Sequence, residues 1–143
     1  LEYTDKDGEN KTPVVIHRAI FGTFDRFTAF LLEETKWVFP FWLAPEQVKI
    51  LPVADPFIDY ANKVCEDLRK ENIRVSVDTS ADSLNKKIRN AELMKVPYIL
   101  IVWEKEVNSN WVSVRVFKTK EQYEQSETEF IKAAIEKRDT RAL

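Results

Sequence analysis

Two glycines, one cysteine and one histidine in 143 residues remove several chemistries at once. Two glycines cannot build the glycine-rich cradle of a P-loop or a dinucleotide fold, and the sequence holds no G-x-S-x-G nucleophile turn. The single Cys65 excludes an internal disulfide and sits in an amphipathic helical pattern, so a reducing compartment is expected. It reads as a small buried residue. His17 and Cys65 lie in separate segments, which argues against a Cys-His nucleophile pair. Zinc needs three or four protein ligands, which one histidine and one helix-buried cysteine cannot supply. Taken alone, His17 reads as a hydrogen-bonded strand residue and Arg26 as a helix surface charge.

Long apolar runs are also missing. Outside the proline-broken stretch the longest is Pro97 to Trp103, far below the ~20 residues that span a bilayer, so no membrane helix or membrane partner is expected. The opening LEYTDKDGEN is acidic and polar where a leader would be basic and apolar. A formal net charge of −2 argues against gripping nucleic acid by bulk electrostatics. Any such contact must be local. Residues 84 to 95 concentrate Lys86, Lys87, Arg89 and Lys95 against Glu92 alone, and Lys86, Lys87 and Arg89 are the candidates for RNA phosphate contacts.

What is present suits a globular chain: 44% hydrophobic and 32% charged residues, with nine Phe and four Trp. The length allows one ordinary domain plus a further piece. Tyr3-Thr4 and Val14-Val15-Ile16 read as two strands around an Asp7-Gly8 turn. Phe24, Phe27 and Leu31 recur at helical spacing behind Thr23 as N-cap, predicting a helix over 24–35. WVFPFWLAP, residues 37 to 45, is too proline-rich for a helix and too aromatic for a floppy linker. It reads as a packed connector, or as a partly exposed interdomain wedge that would let the fragment self-associate weakly.

Beyond residue 46 strands and helices alternate. Val48 to Leu51 suggests a strand, and Asp55-Pro56 opens a helix whose inner face is Phe57, Tyr60, Ala61, Val64 and Leu68. Ile73 to Val77 is a second strand, and Leu84, Ile88 and Ala91 line the buried side of the basic helix. PYILIVW suits a central strand covered on both faces. WVSVRVF alternates, with Val112, Val114 and Val116 on one side and Ser113 and Arg115 on the other. A last helix runs from about Ser126 to Lys137, with Phe130, Ile131, Ala134 and Ile135 inward. The order implies an α/β layer fold, a mixed and mainly parallel five-stranded sheet flanked by helices, preceded by a strand hairpin and a helix.

PVVIHRAIFGTFDRFTAFLLEE followed by FPFWLAPEQVKILPV resembles the junction between the catalytic and anticodon-binding domains of threonyl-tRNA synthetases, which are class II aminoacyl-tRNA synthetases. Weaker likeness continues through KIRNAELMKVPYILIV and VSVR to the C-terminus. GTFDRF is similar to class II motif 3. The resemblance implies that residues 1–45 are the end of a catalytic domain and residues 46–143 an anticodon-binding domain. The function implied is tRNA anticodon recognition within a threonine-tRNA ligase, with the isolated chain inactive as an enzyme. By the same resemblance Arg26 would stack on the adenine of ATP and Thr23 would line that pocket. His17 would be one of three zinc ligands, so zinc and ATP with magnesium belong to the intact enzyme and none is expected on this fragment. Glu106 and Arg115 would read the anticodon, converging on the same unstacked nucleotides. The implied partner is tRNA(Thr), the intact enzyme a homodimer, and the setting the cytoplasm or the mitochondrial matrix.

The likeness has departures. Trp103-Glu104 stands where the family usually has glycine-aspartate, Ala81 where it has an asparagine that helps bind the anticodon loop, and Asn85 where it has glycine. VFKTKEQYEQ replaces a basic, glycine-containing loop, and Asp25 the commoner glutamate. These changes support a competing reading: a free-standing synthetase-like interaction module that reads no anticodon.

Overall fold

The computed structural model describes residues 1–141, so the expected domain end at residue 143 lies outside the described residues. The first hairpin is shorter than its sequence pattern predicts. Strand β1 (Tyr3–Thr4) pairs antiparallel with β2 (Asn10–Lys11), and the turn between them uses Gly8 at φ +81°. Lys11 pairs with the carboxylates of both Asp5 and Asp7, and the Gly8 and Asp5 amides bond locally to Asp5 and Glu9 carbonyls at 2.9 Å. The hairpin closes on its own polar groups. Val14, Val15 and Ile16 therefore lie beyond it, outside any strand and exposed, which corrects the expectation that they form its second strand and that His17 belongs to a strand.

Helix α1 (Phe24–Glu34) forms as expected. The Thr23 hydroxyl accepts from the Arg26 backbone N–H at 3.4 Å, satisfying one of the free amides of the first turn. No residue of α1 is fully buried, although Phe27 stacks on Phe21 with ring centroids 4.9 Å apart.

The aromatic bridge then turns inward. Phe41 and Ala44 are buried, and Phe41 packs edge-on to Tyr98 at 5.5 Å. Gln47, with no exposed surface, fastens the bridge to the sheet. Its amide donates to the Phe41 carbonyl at 2.8 Å, and its oxygen accepts from the Arg74 N–H at 2.8 Å. Arg74 donates in turn to the Ala44 and Trp42 carbonyls at 2.9 and 2.7 Å. The bridge is thus a packed connector, with Trp37 exposed at its start.

Five strands follow: β3 (Val48–Pro52), β4 (Val75–Val77), β5 (Tyr98–Val102), β6 (Trp111–Val116) and β7 (Gln122–Ser126), in the spatial order β4-β3-β5-β6-β7. The pairings of β3 with β4 and β5 are parallel; those of β6 with β5 and β7 are antiparallel. Central β5 is buried at every position, as its unbroken apolar run predicts, each large aliphatic side chain contributing about 1.5–3 kcal/mol. Strand β7 was not foreseen. Its QYEQS sequence is polar, and it forms as an edge strand by continuing the hairpin from β6.

Helices α2 (Ile58–Lys70) and α5 (Glu127–Asp139) cover one face of the sheet. Val64, Leu68, Phe130 and Ala134 meet Val48, Leu100 and Val114 in the larger core. Asp55-Pro56 opens a single 3₁₀ turn ahead of α2 rather than its first residues. The other face carries α3 (Leu84–Leu93), whose Leu84, Ile88 and Ala91 pack on Leu51, Ile99 and Ile101. A short helix, α4 (Glu104–Ser109), also not foreseen, joins β5 to β6 and ends at Asn110 with φ +54°. Among the described residues no helix is long and apolar enough to cross a membrane.

Candidate nucleic-acid interface

Strand alternation decides which side chains can meet a ligand. On β6, Val112 and Val114 are fully buried against α2 and α5, so Trp111, Ser113 and Arg115 belong to the α3 side. Register pairs Ser113 with Glu124 and Arg115 with Gln122 on β7, and Arg115 with Ile99 on β5. The apolar side of α3 sits on β3 and β5. Beyond it, this face presents polar and aromatic groups: Trp111, Arg115, Gln122 and Glu124 are exposed or half-buried, and Gln122 donates to the Ser113 hydroxyl at 3.0 Å.

Arg115 is held on this face by α3. Its Nε and Nη2 donate to Glu92 Oε1 at 3.1 and 3.0 Å, and Lys120 Nζ reaches the same oxygen at 3.1 Å. Burial alone would raise the Glu92 carboxyl, but hydrogen bonds and charge from Lys120 and Arg115 outweigh it and hold the group below its usual range. Two cations share one carboxylate, leaving the cluster net positive.

Glu106 is placed differently. It is buried, at 4% exposure, and its Oε2 accepts from the Trp103 backbone N–H at 3.0 Å, three residues back across the first turn of α4. Burial first, then Glu127, then Glu106 push the Tyr60 phenol well above its ordinary value, and Tyr60 belongs to the α2 core. Arg115 stands across from Ile99, which is roughly 13 Å along the strand from Trp103 at ~3.3 Å per residue. The expected convergence of Glu106 and Arg115 on the same nucleotides is therefore not what the fold provides. The glutamate caps a helix, and only the guanidinium lies on the open face.

The basic helix also divides. Lys86 is exposed and pairs with Asp82 at 2.8 Å, and Arg89 is exposed. Lys87 is buried at 5% and donates to the Pro52 and Asp78 carbonyls at 3.2 Å. Its expected phosphate contact is corrected: the ammonium is spent on two backbone oxygens at the end of β3 and beyond β4. At the other end of the chain Arg26, Thr23 and His17 are exposed. The α1 cap brings Thr23 to the Arg26 backbone. Among the described residues no three His, Cys, Asp or Glu side chains are placed to hold a metal ion.

Two exposed tryptophans stand at the far end of the sheet from Arg115. Trp103 is 48% and Trp111 42% exposed. The sequence pattern puts Trp103 at the end of the covered PYILIVW strand, and this is corrected: β5 stops at Val102 and Trp103 is exposed beyond it; Trp111 starts the alternating strand. The signal was the alternation itself: the parity that buries Val112 and Val114 turns Trp111 to the other face.

An anticodon binding domain family matches residues 47–137, the sheet and the helices that flank it. Curated threonine–tRNA ligases of Staphylococcus carnosus (strain TM300) and Staphylococcus aureus (strain JH9) are 46% identical over 132 residues, covering 92% of this chain. The chain spans 20% of the length of these relatives. Among solved structures it is similar to the RNA binding domain of threonyl-tRNA synthetase from Cryptosporidium parvum Iowa II, with a TM-score of 0.77 and 36% identity over 94% of this chain and 34% of that one. Prolyl-tRNA synthetase from Cryptosporidium parvum shares the fold, with a TM-score of 0.60 and 22% identity over 73% of this chain and 26% of that one.

Proposed function

The chain belongs to the anticodon-binding domain family, and from that premise we propose that it recognises the anticodon of tRNA(Thr) as the C-terminal part of a threonine-tRNA ligase. The observation that carries this reading is the coincidence of the family match over residues 47–137 with the similarity to a threonyl-tRNA synthetase RNA binding domain at a TM-score of 0.77. Arg115 is the base-reading side chain in this proposal. Its guanidinium lies on the open face and can exchange Glu92 for carbonyl oxygens of splayed bases. Glu106 contributes through structure, by capping α4.

The parent enzyme would activate threonine with ATP and magnesium and transfer it to tRNA, acting as a homodimer. Residues 1–45 are proposed to be the end of its catalytic domain. There Arg26 would offer a flat cation to adenine and Thr23 would stand beside it. His17 would give one imidazole to a zinc centre completed by ligands from outside the described residues; bound zinc supplies a Lewis acid that orients threonine. The proposed work of this chain is recognition.

The test is binding of the 143-residue chain to an anticodon stem-loop carrying G-G-U, compared with the same loop bearing A in place of the middle G. Anticodon reading gives at least tenfold weaker binding to the altered loop. Equal affinity replaces it with the module that reads no anticodon.

A further inference from the structure

We propose that Lys120 is a positioning residue for Arg115: it keeps Glu92 occupied when the guanidinium leaves for a base. This deepens the function proposed above and rests on it.

Arg115 can reach a nucleotide only by turning its side chain. Its backbone is paired on both edges, with Ile99 of β5 and Gln122 of β7, so β6 cannot carry it outward. The guanidinium must then give up Glu92. A locked arginine–carboxylate pair sets two N–H groups on two oxygens. Here Nε and Nη2 both donate to Oε1, at 3.1 and 3.0 Å, and Lys120 Nζ stands 3.1 Å from the same atom. One oxygen serves three donors.

A carboxylate only 26% exposed would resist losing a sole cation, because burial disfavours its charge. Lys120 removes that obstacle. Of the two cations it does more to hold the Glu92 carboxyl ionised, its hydrogen bond and its charge each exceeding those of Arg115.

The lysine is also anchored. It sits in the hairpin between β6 and β7 at φ +63°, a left-handed conformation that glycine takes more readily than lysine. Its backbone N–H donates to the Val116 carbonyl at 2.9 Å, and its ammonium lies 4.3 Å from the centre of the Phe117 ring, a cation–π contact. Neighbouring Glu121 is engaged elsewhere, its carboxylate accepting from the Thr119 hydroxyl at 3.1 Å. Among the described residues Glu92 is the carboxylate that both cations share.

The experiment uses the intact chain and two anticodon stem-loops, one carrying G-G-U and the other A for the middle G. Lys120→Met should weaken G-G-U binding about fivefold and weaken the altered loop less, narrowing the preference that Arg115 gives. In a Glu92→Gln background no charge is left to hold, and the same substitution should change binding by less than about twofold. Lys120→Arg, which keeps the cation, should restore G-G-U binding to within about twofold of wild type. Wild-type affinity in Lys120→Met overturns the inference while leaving anticodon reading intact. So does an equal loss for both loops that persists beside Glu92→Gln, the mark of a phosphate contact. Equal wild-type affinity for the two loops overturns the inference together with the reading it rests on.

Discussion

Glu106 Oε2 lies 3.0 Å from the Trp103 backbone nitrogen, so the acid three residues into α4 seals the turn that leaves central β5. This bond separates two roles for Glu106 that its sequence position alone leaves merged. A capping acceptor needs an oxygen; a reader of a guanine donor edge needs a charged, exposed carboxylate. Glu106→Gln keeps an oxygen for the Trp103 amide and should leave stem-loop affinity within about threefold. Glu106→Ala should cost about 1–2 kcal/mol of stability in urea denaturation. A tenfold loss in the Gln variant at unchanged stability would return Glu106 to base reading.

Lys87 and Arg89 should part company under mutation. Lys87 Nζ donates to the Pro52 and Asp78 carbonyls, and Lys87→Ala leaves both without that donor, at a cost of about 1–3 kcal/mol and with no change in the salt dependence of RNA binding. Arg89→Ala, at an exposed site, should leave the melting temperature within a degree or two. If Arg89 touches a phosphate, the logarithmic salt slope falls by about 0.7–0.9. Titrating stem-loop binding against salt distinguishes the two variants.

Gln47 joins the bridge to the sheet through the Phe41 carbonyl and the Arg74 amide. Gln47→Leu fills similar volume and strands both backbone groups, so about 1–3 kcal/mol should be lost. The loss should appear in urea denaturation, accompanied by faster amide exchange at Arg74.

The Glu92 cluster makes stability depend on acid. Burial opposes ionisation of Glu92, but Lys120 and Arg115 prevail and its folded-state pKa is lowered. A lowered folded value means that its contribution is complete above the unfolded carboxylate pKa of about 4.3 and disappears as pH falls through the folded value. Urea denaturation of wild type and Glu92→Gln from pH 7 to pH 3 should show wild type the more stable at pH 7. The gap should narrow below about pH 4.

Much of this fold was legible in the sequence because apolar periodicity reports burial directly. The unbroken run of β5, the alternation of β6 and the inner faces of α2, α3 and α5 all appear where the pattern puts them. Three features escaped for different reasons. β7 is an edge strand whose polar residues have little to bury. α4 is a six-residue helix too short to show a period, held by a side-chain cap. The first hairpin closed early because Lys11, Asp5 and Asp7 form a local ion cluster, which hydrophobic pattern does not register. At the interface, residue type marked Glu106 and Lys87 as polar but not which way they point. Backbone groups claimed both of them. Strand parity made the face of Arg115 legible, while its choice as a site residue came from the resemblance alone.

On β6 the two parities answer to different masters. Substitution at Val112 or Val114 disturbs the packing that lets the chain fold, whereas exchange of Arg115 gives up its bonds to Glu92 and leaves that packing in place. Such a strand can acquire or abandon a nucleic-acid preference by single steps while its interior stays constant, so lineages sharing this architecture are free to diverge in the RNA they accept.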